Sequence, residues 1–226
     1  MKHSPEENAP RSTVPPLPLW LEPARAGLVG YADLLAGPGT ERGLIGPREI
    51  PRLWDRHILN CAVVADPVTG LIPSGCVVAD VGSGAGLPGL VWALARPDIS
   101  VVLVEPLLRR ATFLTEAIIE LELTARVQVV RARAEDLPGT PGWAGVDVVT
   151  ARAVAPMEKL VGWTLPLTRP GGTLLALKGA SAQEEVDGAR AVLAAAGVVE
   201  VEVLTLGAGV VDPLTTVVVA RTSPAQ

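Results

Sequence analysis

Apolar positions along the chain alternate between two spacings. From about Trp20 to Leu35, the residues Ala24, Leu28, Tyr31 and Leu35 recur at the interval of one helical face, with Pro23 suited to a first turn, and a helix is predicted there. Gly37, Pro38, Gly39, Gly43, Gly46 and Pro47 break that pattern, and a second helix after Pro51 turns Leu53, Trp54, Ile58, Cys61 and Val64 inward. Cys76 to Val81 is an apolar run of strand length that ends in glycine, and a helix restarts over Pro88 to Ala95. The alternation continues with strands at 101–104, 126–130, 146–150 and 173–177 and helices at 107–121, 157–167 and 182–196. The first of these helices carries the clearest stripe, through Leu107, Ala111, Leu114, Ile118 and Leu121. Val198 to Leu206 and Thr215 to Arg221, joined by a connection containing glycine and proline, predict a terminal hairpin. Strands separated by helices imply a mostly parallel sheet covered on both faces. The expectation is therefore an α/β, doubly wound fold: a tail over 1–18, an N-terminal helical cap over 19–72, and one domain over 73–226 closed by a β-hairpin.

Composition narrows the setting. At 226 residues there is room for one α/β domain with a short accessory segment. Hydrophobic residues make up 49% of the chain, yet no apolar run approaches the ~18 residues that cross a bilayer, and the first residues show no signal-peptide pattern. Cys61 and Cys76 sit in apolar stretches with no metal or disulfide spacing. A soluble, cytoplasmic protein with no membrane partner, no metal and a monomeric state is expected. A net charge of −5 argues against nonspecific coating of nucleic acid, but a local basic patch can still meet a folded RNA. Between Arg42 and His57, the residues Arg42, Arg48, Arg52 and Arg56 stand against only Glu49 and Asp55, and Arg131, Arg133 and Arg152 punctuate later strand ends.

The chemistry centres on Asp80-Val81-Gly82-Ser83-Gly84-Ala85-Gly86-Leu87-Pro88-Gly89, at a strand-to-helix turn. Glycines there let the backbone come close to a ligand, in the crevice where open α/β sheets bind cofactors. Gly84, Gly86 and Gly89 also satisfy a dinucleotide fingerprint, and Glu105 after the next strand suits a ribose in either case. Three features favour S-adenosylmethionine. Asp80 stands before the glycines as in the Asp-x-Gly-x-Gly-x-Gly pattern of class I methyltransferases, where a carboxylate can accept from loop amides or face a cationic cofactor. Ala134-Glu135-Asp136 follows the third strand, where that fold places an adenine contact. Two histidines and one tyrosine offer little for hydride transfer.

Taken together, these segments resemble the ribosomal RNA small subunit methyltransferase G family, also called glucose-inhibited division protein B. The likeness runs from about Arg56 to Lys178, through Arg56-His57-Ile58-Leu59, the glycine motif with its Gly-Leu-Pro-Gly ending, Glu105-Pro106 with Arg110, Arg133-Ala134-Glu135, Ala151-Arg152-Ala153 and Leu177-Lys178-Gly179. The resemblance implies a Rossmann-like class I fold, S-adenosylmethionine as cofactor, 16S rRNA or the small ribosomal subunit as partner, and methylation of guanine N7. It places Gly82, Leu87, Ala134, Glu135 and Arg152 on the family's cofactor positions. Asn60-Cys61 stands where the family commonly has Asp-Ser, and a Gly/Pro/Arg stretch precedes the histidine in place of an Asn-Leu-Thr-like segment.

The candidate cofactor residues are thus Asp80, Gly82, Gly84, Gly86, Leu87, Glu105, Ala134, Glu135 and Arg152, and the candidate RNA contacts are Arg52, Arg56, His57 and Lys178. No catalytic acid or base is assigned, because guanine N7 is a free lone pair and positioning alone suffices; Arg152 is the one candidate for a direct catalytic part. Plainer readings stand beside these: a surface ion pair for Arg152, a helix-start carboxylate for Glu105, a packed histidine at His57, and a solvated cation for Lys178. The competing functions are a small-molecule or other RNA methyltransferase, a noncatalytic nucleotide-binding module, and a dinucleotide oxidoreductase.

Overall fold

The computed structural model describes residues 13–224. Most of the tail expected over 1–18 lies outside them, but its end does not trail away, since Leu17 is buried in the core. Seven strands form one sheet: β1 (Val77–Val81), β2 (Ser100–Val104), β3 (Val127–Val130), β4 (Val146–Arg152), β5 (Thr168–Lys178), β6 (Val198–Leu206) and β7 (Thr215–Thr222). Their order is β3-β2-β1-β4-β5-β7-β6. The five strands from β3 to β5 run parallel, while β7 pairs antiparallel with both β5 and β6, which gives the expected hairpin.

Alternating side chains of the buried strands supply two cores. Val78, Val101, Leu103, Val148, Leu175 and Val217 face one layer, with α1 (Arg25–Leu34), a helical run over 53–65 whose α-helical part is only α2 (Asn60–Ala62), α3 (Gly89–Ala95) and α4 (Leu108–Glu120) packed on them. Ala79, Val102, Val149, Ala151, Leu174 and Val218 face the other, under α5 (Met157–Thr164) and α6 (Ala182–Ala195). Residues 17–72 therefore share a core with one sheet face. Trp92 locks the two parts together by donating its indole N–H to Cys61 O at 2.9 Å. Trp54, Ile58, Cys61 and Val64 all point inward as the pattern predicts.

Where boundaries differ, the local chemistry accounts for it. The helix expected over 20–35 is regular only across α1, since it is entered through a tight turn at Glu22–Ala24 and left through a wide turn around Pro38. The helix expected to reach Leu167 is regular only to Thr164 and ends in a tight turn at Leu165–Leu167, because Pro166 has no N–H to continue it. β3 begins at Val127 rather than Arg126. β5 begins at Thr168 rather than Thr173, because Pro170, Gly171 and Gly172 form an irregularity within the strand and do not end it. Gly172 makes that fold-back possible: a Cβ there would meet Thr168 Cβ at 2.6 Å.

Helix α3 approaches β1 and β2 closely at Gly89, where a Cβ would lie 2.5 Å from Leu103 Cδ2 and 2.7 Å from Asp80 Oδ2. Gly89→Ala is expected to destabilise the protein by about 1–3 kcal/mol in urea unfolding, because backbone or core must shift to admit the methyl. Gly188→Ala, in α6 with nothing within 4 Å of the added Cβ, is expected to stabilise by roughly 0.5–1 kcal/mol through helix propensity.

Candidate cofactor and substrate site

β1 and β4 are neighbours whose following helices lie on opposite faces, so a crevice opens at their carboxyl ends. The glycine turn occupies one side of it. Gly82 and Ser83 donate their N–H groups to Val104 O, Ser83 Oγ donates to Asp80 O at 2.7 Å, and Gly86 N–H donates to Ser83 O at 2.7 Å. Gly86 has φ +99, and a Cβ on it would sit 2.5 Å from Leu90 Cδ1 and 3.1 Å from Tyr31 Oη. Gly84 differs: its φ is +59, but the nearest atom to a Cβ is Gly82 O at 3.7 Å. Packing thus demands glycine at 86 and 89, whereas the left-handed backbone alone demands it at 84, on an open side.

Asp80 and Glu105 are both buried, at 0% and 1% exposure, and both hold this turn. Asp80 Oδ2 accepts from Gly89 N–H at 3.0 Å, at the start of α3. Of the two roles the sequence left open for Asp80, the structure displays the loop-amide contact. Its Oδ1 is buried without a partner. Burial pushes its pKa up to about 7, with the Gly89 amide, Ser83 and Arg152 opposing and Glu105 adding to the rise. Glu105 Oε2 accepts from Gly84 N–H and its Oε1 from Leu107 N–H, each at 3.0 Å, and Arg110 lies 3.9 Å from it. Tyr31, on α1, donates its hydroxyl to Ala85 O at 2.8 Å, a tie between cap and turn that no sequence motif announced. Beyond β3, Ala134 is buried and Glu135 exposed at the head of a single tight turn. Leu87 is buried.

A cavity of about 780 Å³ opens on the β4 and β5 side of the crevice, lined by Glu49, His57, Arg152, Val154, Lys178 and Asp212 among others. The glycine turn, Glu105, Ala134 and Glu135 are not among its walls. The two regions touch where a Cβ on Gly82 would meet Val154 Cγ2 at 2.9 Å. Arg152 ends β4 at this junction, and the following Ala153 takes a left-handed φ of +55, uncommon for a residue other than glycine.

Arg152 is held from the cap. Its Nη2 contacts His57 Nδ1, its Nη1 lies 3.0 Å from Cys61 Sγ, and His57 Nε2 lies 2.8 Å from Glu49 Oε2. The surface ion pair considered for Arg152 is therefore not what the structure displays. Burial, followed by the Arg152 charge, lowers the pKa of His57, while Glu49 opposes. The hydrogen bond from His57 lowers the pKa of Glu49, and burial raises that of Cys61. Lys178 is internally engaged: its Nζ donates to Ala155 O and Glu185 Oε2, both at 2.7 Å, with its side chain 10% exposed. Arg56 pairs with Glu49 at 3.2 Å. Arg52 is exposed. Glu49, Tyr31 and Glu185 were not read as site residues, since Tyr31 acts across 54 residues and Glu49 and Glu185 reach His57 and Lys178 from a different element, where periodicity gives no guide. Among the described residues no group of His, Cys, Asp and Glu side chains is arranged for a metal ion, and no helix is long and apolar enough to cross a membrane.

Comparison with known proteins identifies the family and the fold. The family model described as rRNA small subunit methyltransferase G matches residues 25–212. The protein named ribosomal RNA small subunit methyltransferase G from Salinispora tropica is 60% identical over 195 residues, covering 84% of this chain and 78% of that one. Its namesake from Streptomyces avermitilis is 55% identical over 193 residues, covering 85% and 78%. Among solved structures, an O-methyltransferase family protein from Burkholderia thailandensis shares the fold with a TM-score of 0.55 at 16% identity, over 92% of this chain and 62% of that one. The precorrin-6y C5,15-methyltransferase of Geobacter metallireducens does so at 0.52 and 16%, over 80% and 92%.

With a folded pKa of about 7 against the ordinary aspartate value of 3.8, Asp80 contributes stability that is full below pH 3.8 and lost as pH rises to 7. The native protein should therefore lose unfolding free energy relative to Asp80→Asn across that window, by on the order of a few kcal/mol, and hold a constant difference above it. Urea titrations of both proteins at pH 4, 5, 6, 7 and 8 measure this.

Proposed function

Because the chain belongs to the rRNA small subunit methyltransferase G family and has the class I methyltransferase fold, we propose that it transfers a methyl group from S-adenosylmethionine to N7 of a guanine in 16S rRNA of the small ribosomal subunit, acting as a single chain in the cytoplasm. The observation that carries this reading is the position of Arg152, at the junction between the glycine turn and the adjoining cavity, with a guanidinium held by two uncharged partners.

The residues present fit the cofactor. The turn leaves the backbone of Gly84 open on one side, and the Glu105 carboxylate at the end of β2 holds the Gly84 amide in place beside it. Asp80, Gly82, Gly86 and Leu87 shape that turn, and Ala134 with Glu135 follows β3 on the same edge of the sheet, with β2 between β3 and β1. The cofactor, when bound, supplies a methyl group on a positively charged sulfur. Guanine N7 carries an unshared pair outside the ring's aromatic electrons, so no proton has to be removed before attack. The task left to the protein is to hold N7 in line with the methyl, an effect worth up to ~7–11 kcal/mol where alignment is good. Val154 on the cavity wall abuts Gly82 on the turn, so a base seated in the cavity lies against the cofactor side. Arg52 and Arg56 on the cap's outer face are suited to backbone phosphates, and Lys178 to fixing the wall through Ala155 and Glu185.

Labelled methyl transfer to small subunits from cells lacking the activity, followed by mapping of the modified base, tests the proposal. Label is expected at guanine N7, and label on a pyrimidine or an exocyclic amine would overturn it. Arg152→Ala is expected to lower kcat/KM by about 10²-fold or more, in line with loss of a positioning contact.

A further inference from the structure

The way Arg152 is held has consequences for the chemistry. Both of its partners come from one helical run of the cap, His57 through Nδ1 and Cys61 through Sγ, and neither is a carboxylate. A carboxylate would engage the guanidinium's paired donors and offset its charge. An imidazole nitrogen and a thiol restrict its rotation and leave that charge in place. Carboxylate is present, but one group away: Glu49 Oε2 lies 2.8 Å from His57 Nε2. Since guanidinium can only donate, Nδ1 has to accept, and the ring proton belongs on Nε2, pointing at Glu49.

We propose that His57 is a positioning residue for methyl transfer, its neutral, Nε2-protonated imidazole linking Glu49 to Arg152 and aiming the guanidinium at the junction of glycine turn and cavity. This rests on the reading of Arg152 given above. A second proton, on Nδ1, would turn the acceptor into a donor facing another donor and set two cations together, which releases Arg152. The charged groups facing the ring are Arg152 from β4, Arg56 from the same helical run and Glu49 from the turn before it. Burial and Arg152 keep the imidazole neutral at pH 7, below its ordinary value of about 6.5.

The first test uses the native protein. Long-range ¹H–¹⁵N spectra of its histidine rings, only two in the chain, with His57 identified by its loss in His57→Asn, should show the Nε2–H tautomer at pH 7.5; the Nδ1–H tautomer would overturn the proposal. The second test is the pH profile of kcat/KM on small subunits, with affinity for S-adenosylhomocysteine measured alongside. The native profile is expected to fall along one ionisation on the acid side. His57→Asn retains an acceptor near the Nδ1 position and cannot titrate, so it should keep activity within about ten-fold at pH 7.5 and lose the acid limb. His57→Ala should lose about 10²-fold. Glu49→Gln should move the limb to lower pH, because the carboxylate is what favours the protonated ring. An unchanged limb in His57→Asn, or full activity in His57→Ala beside an inactive Arg152→Ala, rejects the positioning role and leaves the methyltransferase reading intact. A fully active Arg152→Ala rejects the reading of Arg152 itself.

Discussion

The site depends on two buried carboxylates that hold one glycine turn from opposite sides. Asp80 takes the first amide of α3, and Glu105 takes the amide of Gly84. Neither has water to fall back on, so each carboxylate and each amide needs the other. That mutual need fixes where β1 stops, how the chain turns and where α3 starts. The backbone of the turn is therefore set before any ligand arrives. Desolvation of Asp80 goes uncompensated at one oxygen, which is the physical origin of its raised pKa.

The parallel sheet distributes the remaining tasks along its carboxyl edge. β1, β2 and β3 end in the turn, Glu105 and the Ala134 segment, whereas β4 and β5 end in Arg152 and Lys178 at the cavity. The proposed transfer to guanine N7 needs neither acid nor base and suits such an edge, since under that proposal its residues have only to hold two partners side by side. Lys178 illustrates the point: its charge ties α6 and the loop after β4 into a rigid wall.

The cap is part of this machinery and not a cover laid over it. Tyr31 reaches the turn through Ala85 O, Trp92 reaches back to Cys61, and His57 with Cys61 holds Arg152. Burial pushes the Tyr31 phenol well above its ordinary pKa, so it stays a donor at any physiological pH. Since the cap and one sheet face share a core, a change in cap packing is transmitted directly to the residues that line the crevice.

Much of this was legible in one dimension. Short-range periodicity determined the strands, the helices and their alternation, because burial on one face or two leaves spacings of two or of 3.6 in the chain. The glycine motif, Glu105 and the Ala134 segment were readable for the same reason: each is local, and its position after a strand follows from the fold class. The end of α5 before Pro166 and the start of β5 at Thr168 lay outside the periodic pattern, because the effect of proline and glycine at 166 and 170–172 depends on which neighbour the backbone meets. What the chain pattern could not supply were the partnerships across 54, 91 and 95 residues, Tyr31 with Ala85, Cys61 with Arg152 and His57 with Arg152. Hydrogen bonds and desolvation act through space, so only the packed structure decides whether an arginine at a strand end meets a carboxylate, water or a neutral imidazole.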